Sequence, residues 1–387
     1  GVRRRMAAAD GLQAGADEAA CAHHFANVLY NGMRGGVFPD GYRFPTADFV
    51  DFLRVRNRAL ARRLRARLAR LPETIDLAQL RATADAAQDE HLQRLAGEYL
   101  PLTFSRRHGD PSRPWNRFAI RVRDEHGRPV YNYQGNWRDI FQNWESLALS
   151  YPAWLESMIA VFLNASTADG YNPYRIGREG IDWETEDVND PWSHIGYWGD
   201  HQVIYLLRLL EGLEKFQPGR LDARWRTRAF ASAQIPYRIK PLASQLKDPR
   251  HTIHFDQEQH RALHARAQAE GADGRLLHSR RGDVHLVTLA EKLLVPVLVK
   301  LTNLVPEGGI WLNTQRPEWN DANNALAGWG LSVVTVAHLR RYLAFLGEAA
   351  QRAGDAPLAL TEPVARLLSD LTAALRALKG ASARGFS

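Results

Sequence analysis

The sequence predicts a mostly α-helical protein, and three features lead to that prediction. Apolar residues recur at i, i+3, i+4 spacing through most of the 387 residues. One stretch, 117–133, alternates like a β-hairpin, with its turn at 125–129. Long polar loops rich in Trp and Tyr lie between the helices, at about 105–136, 164–200, 247–283 and 305–330. Ordered loops of this length are usually functional, so we expect a helical scaffold that carries a binding site.

Helical segments follow one another along the chain. Two early segments, 47–71 and 77–100, each carry an apolar stripe at helical spacing. The segment 152–166 starts with Pro152, which suits the first turn of a helix. Its apolar side chains are predicted to be buried: Trp154, Leu155, Met158, Ile159 and Phe162. The segment 201–216 is apolar on most of its faces, so it is predicted to be a buried helix.

Two more helices are predicted in the last part of the sequence, over 331–354 and 361–380. The second of these should begin after Thr361, whose hydroxyl can cap the first turn. It should end at Gly380, because glycine commonly follows the last turn of a helix.

Composition and charge exclude several classes of partner. The net charge is +7, and the densest basic run is the arginine-rich stretch 54–71. No aromatic residue lies between these arginines to stack on bases, so we interpret the run as a solvated helix face. No apolar run reaches the roughly 20 residues that cross a bilayer. The single cysteine, Cys21, excludes an internal disulfide. We therefore expect a cytoplasmic protein that binds neither nucleic acid nor membrane.

Five histidines between residues 251 and 278 could suggest a zinc site. They are His251, His254, His260, His264 and His278. Their spacing fits a helix, but no cysteine joins them and the surrounding sequence is strongly polar. We therefore interpret the segment as a solvated insertion or lid, and we expect no metal.

Three stretches combine acidic, amide and aromatic side chains. The first, 131–147, carries its polar residues at the start of a predicted helix: Arg138, Asp139, Gln142 and Glu145. Arg138 and Gln142 are four residues apart and so share a helix face. The second, 170–202, places carboxylates among Trp and Tyr residues: Asp182, Glu184, Glu186, Asp187, Asp190 and Asp200. The third, 314–330, contains Glu318, Trp319, Asn320 and Asp321.

Carboxylates beside aromatic rings are typical of a sugar-binding site. Aromatic rings stack on the apolar faces of pyranoses, while carboxylates and amides bind hydroxyl groups. An inverting enzyme protonates the leaving oxygen with one carboxylic acid, and its second carboxylate lies about 6.5–9.5 Å away if it activates water. A structural ion pair at Arg138 and Asp139 is an alternative interpretation. A calcium site in 182–190 is another, although the spacing differs from that of an EF-hand.

These motifs resemble those of the cellobiose/chitobiose-phosphorylase type of (α/α)6-barrel enzyme. "PEWNDANNALAGWG" is similar to the Trp-Asn-Asp motif of that family, "WRDIFQ" to its Arg-Asp-x-x-Gln element and "WGDHQ" to its Asp-His element. The three occur in the family's order, and the resemblance covers roughly residues 130 to 350. The large N-terminal β-sandwich and the downstream phosphate-binding residues of the family have no counterpart in this sequence.

The resemblance implies roles for individual residues. Asp321 would be the general acid, with Glu318 as the next candidate. The sugar subsite would be lined by Arg138, Asp139, Gln142, Trp319, Asp200 and His201, and we add Asn320, Trp198 and Asp187 as substrate-binding candidates. If water is the nucleophile, Glu145 or the acidic loop 182–190 would supply the base. If phosphate is the nucleophile, a cationic pocket would hold it.

We therefore expect an (α/α)6-toroid-like barrel, complete or incomplete, with one short β-hairpin. Residues 1–104 would form an N-terminal helical region and 105–387 the catalytic region, with a polar insertion near 247–283. The expected function is inverting cleavage or formation of a glycosidic bond, phosphorylase-like, without a cofactor and with inorganic phosphate as co-substrate. The alternatives are an inverting glycoside hydrolase and a non-catalytic carbohydrate-binding or assembly protein. The expected partners are an oligosaccharide, and further segments of a longer chain or a homo-oligomer.

Overall fold

The structure is a computed structural model. It describes residues 8–11, 17–103, 123–173, 175–185, 189, 202–314 and 328–382, and at 136, 138, 139, 202 and 379–382 it describes the backbone only. This part of the chain contains 15 α-helices, two short 3₁₀ helices and 12 short strands. The prediction of a mostly helical protein is confirmed, whereas the toroid arrangement stays a prediction.

The first helix, α1 (Glu18–Gly35), is capped by Asp17, whose carboxylate accepts from the backbone of Ala20. It packs along the later helix α7 (Trp137–Ala148). Its last residue, Gly35, lies so close to Leu147 that an added Cβ would be 2.7 Å from the Leu147 Cβ. Glycine there allows the two helices to pack closely.

Residues 38–101 form a segment whose two ends lie side by side. Val37 and Thr103, which flank it, exchange two backbone hydrogen bonds of 2.8 Å each. The chain therefore leaves the rest of the molecule and returns to it at one point. The elements between are β1 (Arg43–Pro45), α2 (Thr46–Arg56), α3 (Arg58–Arg63), α4 (Arg65–Leu68), β2 (Thr74–Asp76), α5 (Leu77–Ala87) and α6 (Glu90–Glu98).

Each of the two early segments predicted to be helical is divided in the structure. The first is interrupted at Asn57, whose backbone is extended and whose Oδ1 caps α3 at Leu60. The second is interrupted at Gln88, which has a left-handed backbone (φ 49°), and α6 then starts after the N-cap residue Asp89. The apolar period continues across both breaks, which is why spacing alone did not reveal them.

The central helices enclose an aromatic core. The 3₁₀ turn Pro152–Trp154 leads into α8 (Leu155–Ala165), and the apolar residues predicted to be buried there are buried. Next come α9 (Gln202–Phe216), which packs against α7, α8 and α14 (Val333–Arg352), and α10 (Arg220–Arg224). Trp137, Trp144 and Trp154 are among the largest fully buried side chains. No helix in the described part of the chain is both long and apolar enough to span a membrane.

The remaining helices are α11 (Leu242–Lys247), α12 (Gln257–Glu270), α13 (Leu289–Thr302) and α15 (Glu362–Ser382), with a 3₁₀ turn at Ala272–Arg275. The predicted end of the last helix at Gly380 was wrong, because α15 continues to Ser382. The helix begins directly after Thr361, as predicted, and the hydroxyl of Thr361 donates to Glu291 Oε1 at 2.6 Å. This contact joins the start of α15 to α13.

The strands form five small antiparallel sheets. They comprise β1–β2; β3 (Gln134–Asn136), β4 (Arg175–Gly177) and β5 (Gly180–Asp182); β6 (Arg228–Phe230) with β9 (Val287–Thr288); β7 (Tyr237–Ile239) with β8 (Ile253–Phe255); and β10 (Leu304–Val305), β11 (Gly309–Trp311) and β12 (Leu331–Ser332). The predicted turn at 125–129 is present, closed by a bridge between Arg123 and Pro129. The first strand of that hairpin lies outside the described residues.

Candidate functional site

Two of the three polar stretches are joined in one sheet. β3 belongs to the first stretch and β4 and β5 to the second, and Asn136 pairs with Arg175. β3 continues directly into α7, so the sheet fixes the start of the helix that carries Arg138 and Asp139. On β5, Asp182 lies opposite Arg175 at the start of the acidic loop.

The third stretch is attached to the second through a buried hydrogen-bond chain. The hydroxyl of Tyr171 donates to Asn313 Oδ1 at 3.4 Å, and Asn303 Nδ2 donates to the same oxygen at 3.0 Å. Tyr171 and Asn313 are buried, and burial raises the pKa of Tyr171 to about 12, so its hydroxyl keeps its proton at neutral pH. The Lys300 ammonium lies 5.6 Å from the centre of the Tyr171 ring. The first and second stretches are therefore joined to each other, and the second is joined to Asn313, which directly precedes the third stretch.

The loop that carries the candidate acid is closed at its base. Leu312 accepts a hydrogen bond from the Gly328 amide and donates one of 3.0 Å to the Gly330 carbonyl. The indole of Trp311 donates to the Gly328 carbonyl at 3.0 Å. Gly328 has φ 78° and lies so close to Pro249 that no Cβ fits there. The loop thus leaves and re-enters the fold at one fixed point.

One face of α7 carries the described candidates of the first stretch. Gln142 and Glu145 are three residues apart and therefore share that face. Gln142 is exposed, and the half-buried Glu145 accepts a hydrogen bond of 2.8 Å from Arg208 Nε. The pair lines a groove of about 240 Å³ whose floor includes Leu209. The carboxylate of Glu145 is therefore already held by a cation.

The base of the acidic loop packs against the histidine-containing segment. The indole of Trp183 donates to His260 Nδ1 at 3.0 Å, which assigns the ring proton of His260 to Nε2. Arg275 lies 5.3 Å from the centre of the Trp183 ring and forms an ion pair of 3.4 Å with Asp182. Burial, followed by the positive charge of Arg275, lowers the pKa of His264, and burial is also the main cause of the lowered pKa of His260.

The interpretation of this segment as a solvated insertion or lid stays a prediction. Residues 257–270 form the ordered helix α12, and Asp273 directly after it is 2% exposed. In the part of the chain that the structure describes, no group of three or more His, Cys, Asp or Glu residues is placed to hold a metal ion.

Most candidate residues lie outside the described residues. These are Asp187, Trp198, Asp200, His201, Glu318, Trp319, Asn320 and Asp321, together with the side chains of Arg138 and Asp139. Their roles stay predictions. Four described residues hold these stretches or their neighbours through hydrogen bonds or ion pairs, and no sequence pattern indicated them: Asn303, Asn313, Arg208 and Arg275. Asn313, for example, is 142 residues from its partner Tyr171, and no local pattern reveals a pair so distant.

Comparison with protein families identifies a class for one part of the chain. Residues 38–101 are glycoside-hydrolase related. They match the family model described as glycoside hydrolase family 149 insertion domain 1. The match coincides with the segment whose ends meet between Val37 and Thr103, as an inserted unit requires. A search of curated proteins found no match to the chain.

Proposed function

We propose that this protein cleaves or forms a glycosidic bond with inversion, in the manner of a glycoside phosphorylase. The observation that carries the proposal is that the β3–β4–β5 sheet joins the first two polar stretches and that Tyr171 of the second binds Asn313, directly before the third. The match of residues 38–101 to an insertion domain of a glycoside hydrolase family supports the same class of chemistry.

In this proposal, Asp321 protonates the glycosidic oxygen as the bond breaks. An acid must hold its proton at neutral pH, so Asp321 should lie among groups that disfavour its charged form, such as Trp319 and neighbouring carboxylates. Arg138, Asp139 and the residues that the resemblance adds to the subsite would bind the hydroxyl groups of the sugar.

The nucleophile distinguishes phosphorolysis from hydrolysis. Hydrolysis needs a carboxylate that activates a water molecule on the opposite side of the sugar ring from the acid. Among the candidates, Glu145 and the loop residues Asp182 and Glu184 are described; the carboxylate of Glu145 is engaged by Arg208 at 2.8 Å, and that of Asp182 forms an ion pair of 3.4 Å with Arg275. These pairings favour phosphate over water as the nucleophile, because phosphate needs no protein base.

The test is turnover of an oligosaccharide panel by the full chain, with and without inorganic phosphate. Asp321→Asn should reduce turnover by about 10² to 10⁴-fold, the usual contribution of a general acid, and leave sugar binding intact. Asp355→Asn, on an exposed turn, is the matched control and should not change turnover. Normal turnover by Asp321→Asn would transfer the role of acid to Glu318. Phosphate-independent turnover would favour a hydrolase, and an inactive chain that still binds sugar would favour a non-catalytic protein.

A further inference from the structure

A cavity lies in the seam between the segment 38–101 and the rest of the molecule. Its volume is about 40 Å³. From the segment it is lined by residues of α5 and α6, among them Arg81, Arg94 and Gly97. From the other side it is lined by residues of α8 and α10, among them Glu156 and Arg224. None of these is a candidate residue of the site described above.

The charges around this cavity are unequal. Three guanidinium groups surround the carboxylate of Glu156: Arg81 at 3.0 Å, Arg220 at 2.7 Å and Arg224 at 3.2 Å. The other acid nearby, Asp85, is half exposed and forms a longer pair of 3.3 Å with Arg224. Three positive charges therefore face two negative ones, which leaves this cluster with a net positive charge.

Burial is the main cause of a lowered pKa of Arg81, and the positive charges of Arg220 and Arg224 add to it. Glu156 acts in the opposite direction but does not outweigh them. A further negative charge in the cavity would therefore reduce the repulsion among these arginines, which the nearby carboxylates do not fully cancel.

Arginine N–H groups that can donate hydrogen bonds to such an anion are present beside the cavity. The Nε of Arg94 has no hydrogen-bond partner among the described residues, although the side chain is 0% exposed. Its two Nη atoms bind Glu98 and Asp273, which fixes the guanidinium plane. The hydrogen bond of Arg81 to the Ala153 carbonyl and its ion pair with Glu156 both use Nη2. A buried N–H without a partner is costly unless a ligand or water satisfies it.

We propose that this cavity binds a phosphate group. One water needs roughly 10–15 Å³ of such space, so the cavity holds roughly three waters, the size of a compact tetrahedral oxyanion. Arginine forks match phosphate oxygens in both geometry and charge. Because Arg224 and Asp85 are at the solvent-accessible rim, with 21% and 49% of their side chains exposed, the phosphate could be free or carried by a sugar.

The site would join the two parts of the molecule. Arg81 and Arg94 come from the segment 38–101, whereas Arg224 comes from outside it. A bound phosphate would add hydrogen bonds across the seam, so phosphate should raise the stability of the docked segment. The inference does not rest on the proposed function, because binding is measured without turnover.

The experiment is calorimetric titration of the full chain with sodium phosphate and, separately, with a hexose 1-phosphate, at constant ionic strength. Gly97→Leu should weaken binding at least about tenfold, because the side chain would occupy the cavity; an added Cβ meets nothing within 4 Å there. Gly347→Leu is the matched control, since Gly347 is also a helical glycine with nothing within 4 Å of an added Cβ. If Gly97→Leu does not fold, Gly97→Ala replaces it.

Arg81→Gln should weaken binding by about tenfold to a hundredfold through loss of a charge-assisted donor. Binding of either phosphate form that is lost in the Gly97 and Arg81 variants and kept in Gly347→Leu supports the site, and the form that binds identifies the source. An absence of binding, or phosphate affinity that is equal in all variants, would overturn the proposal.

Discussion

A buried network of ion pairs joins the segment 38–101 to the rest of the chain, and Asp273→Asn should destabilise this junction. Asp273 accepts from Arg94 Nη2 and from Asn57 Nδ2, the latter at 3.0 Å. Glu98 accepts from Arg94 Nη1 at 2.8 Å and also pairs with Arg56. The two acids are 2% exposed and the two arginines 0–7%. Burial alone would lower the pKa of Arg94, but Asp273 and Glu98 outweigh it and raise that pKa.

Two buried positive charges are thus balanced by two negative ones. Asp273→Asn keeps the shape of the side chain but leaves one positive charge uncompensated in the interior. Breaking a buried pair in this way costs about 3–5 kcal/mol. A domain of ordinary stability has about 5–15 kcal/mol in total, so the loss should be large and easily measured.

The assay is urea unfolding of the wild type and of Asp273→Asn, monitored by far-UV circular dichroism. Limited proteolysis then shows which segment has become accessible. The matched control is Asp51→Asn in the same segment, because the pair Asp51–Arg54 is 46% and 73% exposed. Its removal should cost less than about 1 kcal/mol. If Asp273→Asn lies within 1 kcal/mol of the Asp51 variant by the same assay, the argument that the network fastens the segment is refuted.

Three further results are expected. Gly328→Ala should destabilise the protein by at least about 1 kcal/mol and lower turnover, because φ 78° and contact with Pro249 exclude a Cβ. The indole hydrogen bond of Trp183 should persist as pH falls through 6.5 and be lost only at lower pH, since burial lowers the pKa of His260 and the bond needs the neutral ring; indole NMR follows it. Burial lowers the pKa of Lys292 to about 7 against 10.5 when unfolded, so stability relative to Lys292→Met should rise between pH 7 and 9.5.

Each of these results has a defined contradiction. Normal stability and turnover in Gly328→Ala would show that the base of the loop adapts. Loss of the Trp183 indole hydrogen bond already above pH 6.5 would contradict the lowered pKa of His260. A stability difference between wild type and Lys292→Met that does not change with pH would show that Lys292 keeps its charge in the fold.

The class of fold was predictable because burial and periodicity are local properties. The apolar residues of 152–166 repeat at helical spacing and pack into the core as expected. The break at Asn57 was not predictable, because its side chain binds Asp273, which is 216 residues away. The burial of Asp273 was not predicted either, because its neighbours in the sequence are polar. Its charge can be buried since it forms ion pairs with Arg56 of α2 and Arg94 of α6.

The candidate site was predictable in its parts but not in its surroundings. The three stretches could be selected from the sequence because each combines acidic, amide and aromatic side chains, which a simple turn between helices does not require. The links between them depend on contacts such as that between Tyr171 and Asn313, which sequence spacing does not encode. Similarly, Glu145 was selected as a candidate base, whereas its pairing with Arg208 comes from the approach of α9 to α7.

The central claim is inverting cleavage with phosphate as nucleophile, and the anomeric form of the first product tests it most directly. Proton NMR of the full chain with an oligosaccharide and phosphate should show a sugar 1-phosphate whose anomeric configuration is opposite to that of the cleaved bond, and Asp321→Asn should abolish the signal. A product with retained configuration, or a free reducing sugar formed at the same rate without phosphate, would contradict the account.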